Sequence, residues 1–234
     1  MAGNQPPAPS TAPDDTVENP VAAALLGDAS APEPTSGEFW IFGYGSLIWK
    51  PPPHFDRRVP GWVTGYVRRF WQDHRGTPEA PGRVVTLLER SFWASLDDHH
   101  ESAPDKVWGV AYRIAAERAA EVREYLDIRE INGYTIHYTP FHPADSALEP
   151  FSTMVYIGTP ENPQFTGPQD VQNLAEHIFR STGPSGPNRD YLLGLETSLD
   201  ELSPESGDEH VTDLSNRLRA LIEAEKESSN GAVP

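Results

Sequence analysis

Phe39-Trp40-Ile41-Phe42-Gly43-Tyr44-Gly45-Ser46-Leu47-Ile48 is where the chain changes character. Before it, residues 1–36 hold seven prolines, no aromatic residue, and Asp14, Asp15, Glu18, Asp28 and Glu33 with no Lys or Arg. Such a stretch has too little apolar surface to offset the entropy of ordering it, so it reads as a disordered acidic tail. From Phe39 a short apolar run ends in glycine, the pattern of a strand entering a turn. Glycine lets backbone amides approach a ligand with no Cβ in the way. Consecutive amides in such a turn can form a nest for a carboxylate or a developing oxyanion. A dinucleotide loop does not fit, because Ile48 replaces the third glycine and Lys50-Pro51-Pro52-Pro53 stands where a helix should begin. A P-loop does not fit either, since no Gly-Lys-Ser/Thr follows.

Outward from this run the first half reads as strands. Trp62 to Trp71, Arg83 to Leu88, Lys106 to Ile114, Tyr134 to Tyr138 and Thr153 to Ile157 are rich in aromatic and β-branched residues. One helix interrupts them: Ala115, Ala119, Val122 and Leu126 make a single apolar stripe, ending before the Asn132-Gly133 turn signal. The last third is helical. Its three apolar faces are Val171/Leu174/Ala175/Ile178/Phe179, Leu192/Leu195/Leu199/Leu202 and Val211/Leu214/Leu218/Leu221/Ile222. Strands first, then helices, predict an α+β fold, and short glycine-punctuated strands favour a small barrel or curled sheet. The expected organisation is a tail over 1–36, one domain over 37–226 and a C-terminal tail over 227–234.

Composition narrows the function. The formal net charge is −17, of which residues 1–36 and 187–234 together carry −12. An acidic surface repels nucleic-acid phosphates and anionic membranes, so neither is expected as a partner. No apolar run approaches the ~20 residues of a membrane span, and Val21 to Leu26 has no basic region before it to make a secretory signal. A cytoplasmic location is expected. The absence of cysteine excludes disulfides, a cysteine nucleophile and thiolate metal sites. Of eight histidines, His99 and His100 are adjacent and are expected to point in different directions, and no His-Glu-x-x-His spacing occurs. No metal is expected.

Two further segments could carry chemistry. Tyr125-Leu126-Asp127-Ile128-Arg129-Glu130-Ile131-Asn132-Gly133-Tyr134 sets a carboxylate among apolar neighbours between a helix and a turn. Partial burial would raise the pKa of Glu130 toward a value useful for proton transfer. Local pattern alone favours a solvated glutamate paired with Arg129 or Arg123. Arg69 to Gly76 reads as a polar, basic loop between two strands, the kind that contacts anionic substrates. Ser46, Asp73 and His74 do not make a credible triad, as no Gly-x-Ser-x-Gly is present.

Taken together, residues 42–49, 68–72, 73–76, 81–87, 108–112, 125–130, 132–134, 155–159, 183–188 and 208–210 resemble the ChaC family of glutathione-specific γ-glutamylcyclotransferases, over about residues 39–223. The resemblance implies a small mixed β-barrel (γ-glutamylcyclotransferase-like) with flanking and C-terminal helices. It implies a lyase that cleaves glutathione to 5-oxo-L-proline and L-cysteinylglycine. It also implies that Gly43, Tyr44, Gly45, Ser46, Leu47 and Ile48 hold the γ-glutamyl part, that Glu130 is catalytic, and that no cofactor is needed. The chemistry suits one carboxylate. The substrate's own α-amine attacks its γ-carbonyl, so orientation outweighs capture of a second reactant. One group can take the amine proton and give it to the leaving amine. The glycine loop would hold either the α-carboxylate or the oxyanion.

The chain departs from the family at one place. Two or three residues usually separate Phe-Trp-Gln from Asp-His-Arg-Gly, and here Gln72 abuts Asp73. The alternatives are a cyclotransferase for other γ-glutamyl peptides or amines, and a non-catalytic ligand-binding protein with a shortened loop.

Overall fold

The structure is a computed structural model and describes residues 39–77, 80–129 and 133–230. The N-terminal tail, Glu130 with Ile131 and Asn132, and residues 231–234 lie outside the described residues.

Strands β1 (Phe39–Gly43), β2 (Phe55–Thr64), β3 (Tyr66–Thr77) and β4 (Ala80–Glu89) come first. A one-turn helix α1 (Arg90–Trp93) leads to β5 (Lys106–Ile114), which has the bounds the sequence predicts. Helix α2 (Ala119–Arg129), strands β6 (Thr135–Pro143) and β7 (Phe151–Ile157), and helix α3 (Val171–Arg180) follow. A two-residue pair, β8 (Thr182–Gly183) and β9 (Gly186–Pro187), precedes α4 (Asn188–Leu202) and α5 (Glu209–Asn230). Helix α5 continues four residues past Lys226.

Five strands close a barrel in the order β1-β5-β2-β6-β7. Every pairing is antiparallel except β1 with β7, where Ile41 lies opposite Met154 in parallel, so the barrel is mixed. Closure removes the exposed strand edges that a five-stranded open sheet would leave. Ile41, Val63, Val110, Tyr112, Phe141 and Val155 are all buried. The three C-terminal helices pack together through the faces their periodicity marks, with Leu174, Ile178, Leu192, Leu195, Leu199, Leu214 and Leu218 buried.

Strands β3 and β4 form a separate two-stranded sheet. Two expectations are corrected here. The run Trp62 to Trp71 is not one strand: Gly65, at φ 82°, turns the chain between β2 and β3. A side chain rarely takes that conformation, so one glycine suffices to break an aromatic-rich run. Arg69 to Gly76 is not a loop but the continuation of β3, with register shifts between Arg69 and Gln72 and between Asp73 and Gly76. One of its polar residues is paired across the hairpin: the Arg83 guanidinium on β4 donates to the Asp73 carboxylate.

The β3–β4 hairpin is fastened on several sides. Thr86 Oγ1 donates to Gly158 O (2.8 Å) beyond β7. Asp73 N donates to Gln164 O (2.8 Å) and Thr166 N to Trp71 O (2.8 Å). The Asn188 side chain at the start of α4 accepts from Arg83 N and donates to Arg83 O, both at 2.8 Å.

Candidate active site

A half-open cleft lies where the barrel, the hairpin and α4 meet. Strand β1 and its following turn supply Phe42, Tyr44, Gly45, Ser46 and Leu47; the hairpin supplies His74, Val84 and Val85. Tyr134, Tyr156 and Tyr191 complete the wall.

The glycine turn is shaped by close packing. After Gly43 the chain makes a single 3-10 turn over Ser46–Ile48, with Ile48 N donating to Gly45 O (2.9 Å). A Cβ on Gly43 would stand 2.5 Å from Leu47 Cβ, and one on Gly45 would stand 2.8 Å from Tyr191 Oη and 3.0 Å from Val85 Cγ2. Glycine is thus required at both positions by space rather than by backbone angle. Tyr112 Oη donates to Leu47 O (2.9 Å), fixing the turn to β5.

The tyrosines hold the walls together. Buried Tyr44 donates its hydroxyl to Tyr156 O (2.8 Å). Tyr191 on α4 packs edge-on against Phe70 (5.8 Å between ring centroids, 82°) and against Trp49 (5.5 Å). His74 stands edge-on to Tyr134 at 6.4 Å across the hairpin side. Beneath the cleft Arg68 is fully buried, donating to Trp108 O and facing Asp208 at 3.5 Å. Burial pushes its guanidinium below the ordinary value, while Asp208, Tyr191 and Tyr44 act in the opposite sense. Burial also lowers Arg83, against the support of Asp73.

Among the described residues lining the cleft none is a carboxylate, lysine or arginine. They offer hydroxyls, backbone amides and the His74 imidazole, which can orient a small polar ligand, the imidazole being the one side-chain base among them.

Of the six residues predicted for the loop, Tyr44, Gly45, Ser46 and Leu47 line the cleft. Gly43 and Ile48 are buried and support the turn from behind. Glu130 lies outside the described residues, four positions before cleft-lining Tyr134. The role of Tyr156 and Tyr191 was not foreseen. The one signal for Tyr191 is a hydroxyl-bearing residue beside the leucine stripe of α4.

His99 and His100 also depart from expectation. A bend turns both rings toward one carboxylate, with His100 Nε2 at 3.1 Å and His99 Nε2 at 3.9 Å from Asp213 Oδ2. The alternation that would separate adjacent side chains holds only in regular strands and helices.

The model of the ChaC-like protein family matches residues 39–221. A glutathione-specific γ-glutamylcyclotransferase of Schizosaccharomyces pombe is 46% identical over 193 residues, covering 80% of this chain and 95% of that protein. The protein of the same name from Saccharomyces cerevisiae is 41% identical, covering 79% and 94%. A crystal structure of a yeast γ-glutamyl cyclotransferase specific to glutathione aligns with a TM-score of 0.70 at 37% identity, covering 78% of this chain and 96% of that one. With the barrel, the glycine turn and nearly all of the described residues accounted for by one family model, this chain belongs to the ChaC family.

Proposed function

We propose that the chain is a glutathione-specific γ-glutamylcyclotransferase, a lyase that converts glutathione to 5-oxo-L-proline and L-cysteinylglycine. The observation that carries this reading is convergence. Tyr44 to Leu47 and Tyr134, from two distant sequence segments with family character, line one cleft. Relatives that bear this activity in their names cover most of the chain.

The α-amine of the γ-glutamyl residue attacks its own γ-carbonyl carbon. A C–N bond forms to close the five-membered ring, and the C–N bond to the cysteine nitrogen breaks. Glu130 takes a proton from the attacking amine and returns one to the departing amine, so the reaction consumes neither water nor a redox equivalent. The Gly43–Ile48 turn holds the γ-glutamyl part through its backbone amides, and the tyrosine hydroxyls hold it in the folded conformation that cyclisation requires. No helix among the described residues is long and apolar enough to cross a membrane. The reading places the enzyme in the cytoplasm, where glutathione is kept reduced.

The test is direct. The protein is incubated with reduced glutathione, and 5-oxoproline and Cys-Gly are quantified beside reactions containing other γ-glutamyl peptides and amines. Stoichiometric release of both products from glutathione is expected. Turnover of the other substrates alone overturns the specificity, and no turnover by folded protein overturns the activity.

A further inference from the structure

Buried in the interface between α5 and β3 are two imidazoles whose protonation states the geometry dictates. Phe70 N–H on β3 donates to His210 Nε2 at 3.1 Å. A backbone amide is always a donor, so that nitrogen carries no proton, and neutral His210 is protonated at Nδ1. His210 Nδ1 lies 3.2 Å from His100 Nδ1, which must then accept. Neutral His100 therefore carries its proton at Nε2 and donates to Asp213 Oδ2 at 3.1 Å. A third proton on the pair has no acceptor: it would face either the Phe70 N–H or the other ring's Nδ1–H.

The same assignment argues against a cation on this triad. His99, His100 and Asp213 bring ligand atoms within 4.8 Å of one another, but the His100 Nε2 lone pair a metal would need is occupied by a proton.

Phe70 is fully buried, and its ring contacts Tyr191, whose hydroxyl packs against Gly45 in the cleft. We propose that the His100–His210 pair is a positioning element for the catalytic cleft, holding β3 and thereby Tyr191 in place only while both rings are neutral. The inference rests on the cyclotransferase reading for its kinetic consequence, though not for its geometry. The charged groups facing the pair do not all act in one sense: Arg69 opposes a positive charge on His210, whereas the Asp213 carboxylate is the acceptor of the His100 N–H. It is the lack of an acceptor for a third proton that keeps the pair neutral. Arg69 on β3 is buried beside it, ion-paired with Asp98 at 2.6 Å. His99 flanks His100 at 5.0 Å, and Asp213, which accepts from His100, is shared with Arg217 at 3.0 Å. Asp208, two residues before His210, is committed to Arg68.

Two variants separate the two hydrogen bonds. His210→Gln keeps an acceptor near Phe70 N–H and cannot take up the extra proton; His210→Asn keeps a donor toward His100 and loses that acceptor. Glutathione turnover is measured for both and for wild type from pH 5 to 8, with near-UV circular dichroism to confirm folding. At pH 8 the Gln variant is expected to exceed the Asn variant by about tenfold or more in kcat, with KM little separated. Wild-type kcat should fall more steeply on the acid side than that of the Gln variant, whose remaining limb belongs to the catalytic carboxylate. Coincident acid limbs, or equal kcat in the two variants, overturn the proposal.

Imidazole nitrogen NMR and labelled-tyrosine ring resonances give a second readout independent of turnover. A protonated His210 Nε2 at neutral pH, or a Tyr191 resonance unmoved by His210→Asn, overturns the positioning role. If those signals behave as expected while no 5-oxoproline forms, the cyclotransferase reading fails and the relay stands.

Discussion

Tyr44 Oη donates to the backbone carbonyl of Tyr156 at 2.8 Å, joining residues 112 positions apart at the mouth of the barrel. The bond ties the start of the glycine turn to the end of β7, and both residues line the cleft. One hydroxyl thus serves the fold and the site together.

Tyr44→Phe removes that donor and leaves the buried carbonyl without it. The cost is about 1–3 kcal/mol, the penalty for stranding a buried polar group. The expected outcome is a lower urea midpoint and at least a ~10-fold loss of kcat/KM, read from denaturation curves and 5-oxoproline release. A change in stability with unaltered kinetics would separate the two functions of the hydroxyl.

Gly45→Ala tests the packing of the turn. Its Cβ would press on Tyr191 Oη at 2.8 Å and Val85 Cγ2 at 3.0 Å. Overpacking of this kind costs about 1–3 kcal/mol. The space is taken from the cleft itself, so KM for glutathione should rise by roughly tenfold or more. Unchanged KM would mean that the turn does not contact substrate.

Glu130→Gln keeps size and polarity and removes the proposed proton carrier. It should lower kcat by at least ~100-fold with substrate binding largely retained, the scale of lost general acid–base catalysis. Single-turnover and equilibrium-binding measurements distinguish this from a loss of affinity. Near-normal turnover would remove Glu130 from the mechanism.

Asn188→Ala deletes both side-chain hydrogen bonds to the Arg83 backbone. The hairpin loses its fastening to α4, and stability should fall by about 2 kcal/mol. Asn188→Asp retains the acceptor for Arg83 N–H but not the donor, and should fall between Ala and wild type in the same denaturation series.

The pH dependence of stability follows from His210. Burial first, then Arg69, His100 and His99, hold its pKa well below the ordinary histidine value. The unfolded imidazole takes up a proton near pH ~6.5, whereas the folded one does not until lower pH. This contribution is therefore complete above about pH 6.5 and is lost as pH falls toward the folded value. Urea midpoints should decline from pH 7 to pH 5 in wild type and decline less in His210→Gln.

Much of this architecture is legible in the chain. Lys106 to Ile114 declares itself by β-branched and aromatic residues on both faces, as befits a central barrel strand. The C-terminal helices declare themselves by leucines at helical spacing. Gly65 is less legible because one glycine in an aromatic run looks like a flaw in a strand rather than a corner. Arg69 to Gly76 reads as a loop because its polar residues hide a strand whose partners, Arg83 on β4 for the Asp73 carboxylate and Gln164 O beyond β7 for the Asp73 N–H, lie elsewhere along the chain. The glycine turn is legible as a motif, yet its partner Tyr191 lies 146 residues beyond Gly45. His99 and His100 converge on Asp213 because the chain bends there, and only α5 packing brings the carboxylate within reach.

The cleft runs along the seam between two sheets that share no ladder, the closed barrel and the β3–β4 hairpin. Its halves are therefore separately editable in descent. In the proposed reaction the turn on the barrel side is the part that would grip the γ-glutamyl group, while His74, Val84 and Val85 line the cleft from the hairpin. Insertions and deletions in the hairpin can accumulate without disturbing a single barrel register. Exchanging hairpins between relatives should transplant leaving-group preference while the ring-closing chemistry stays with the host.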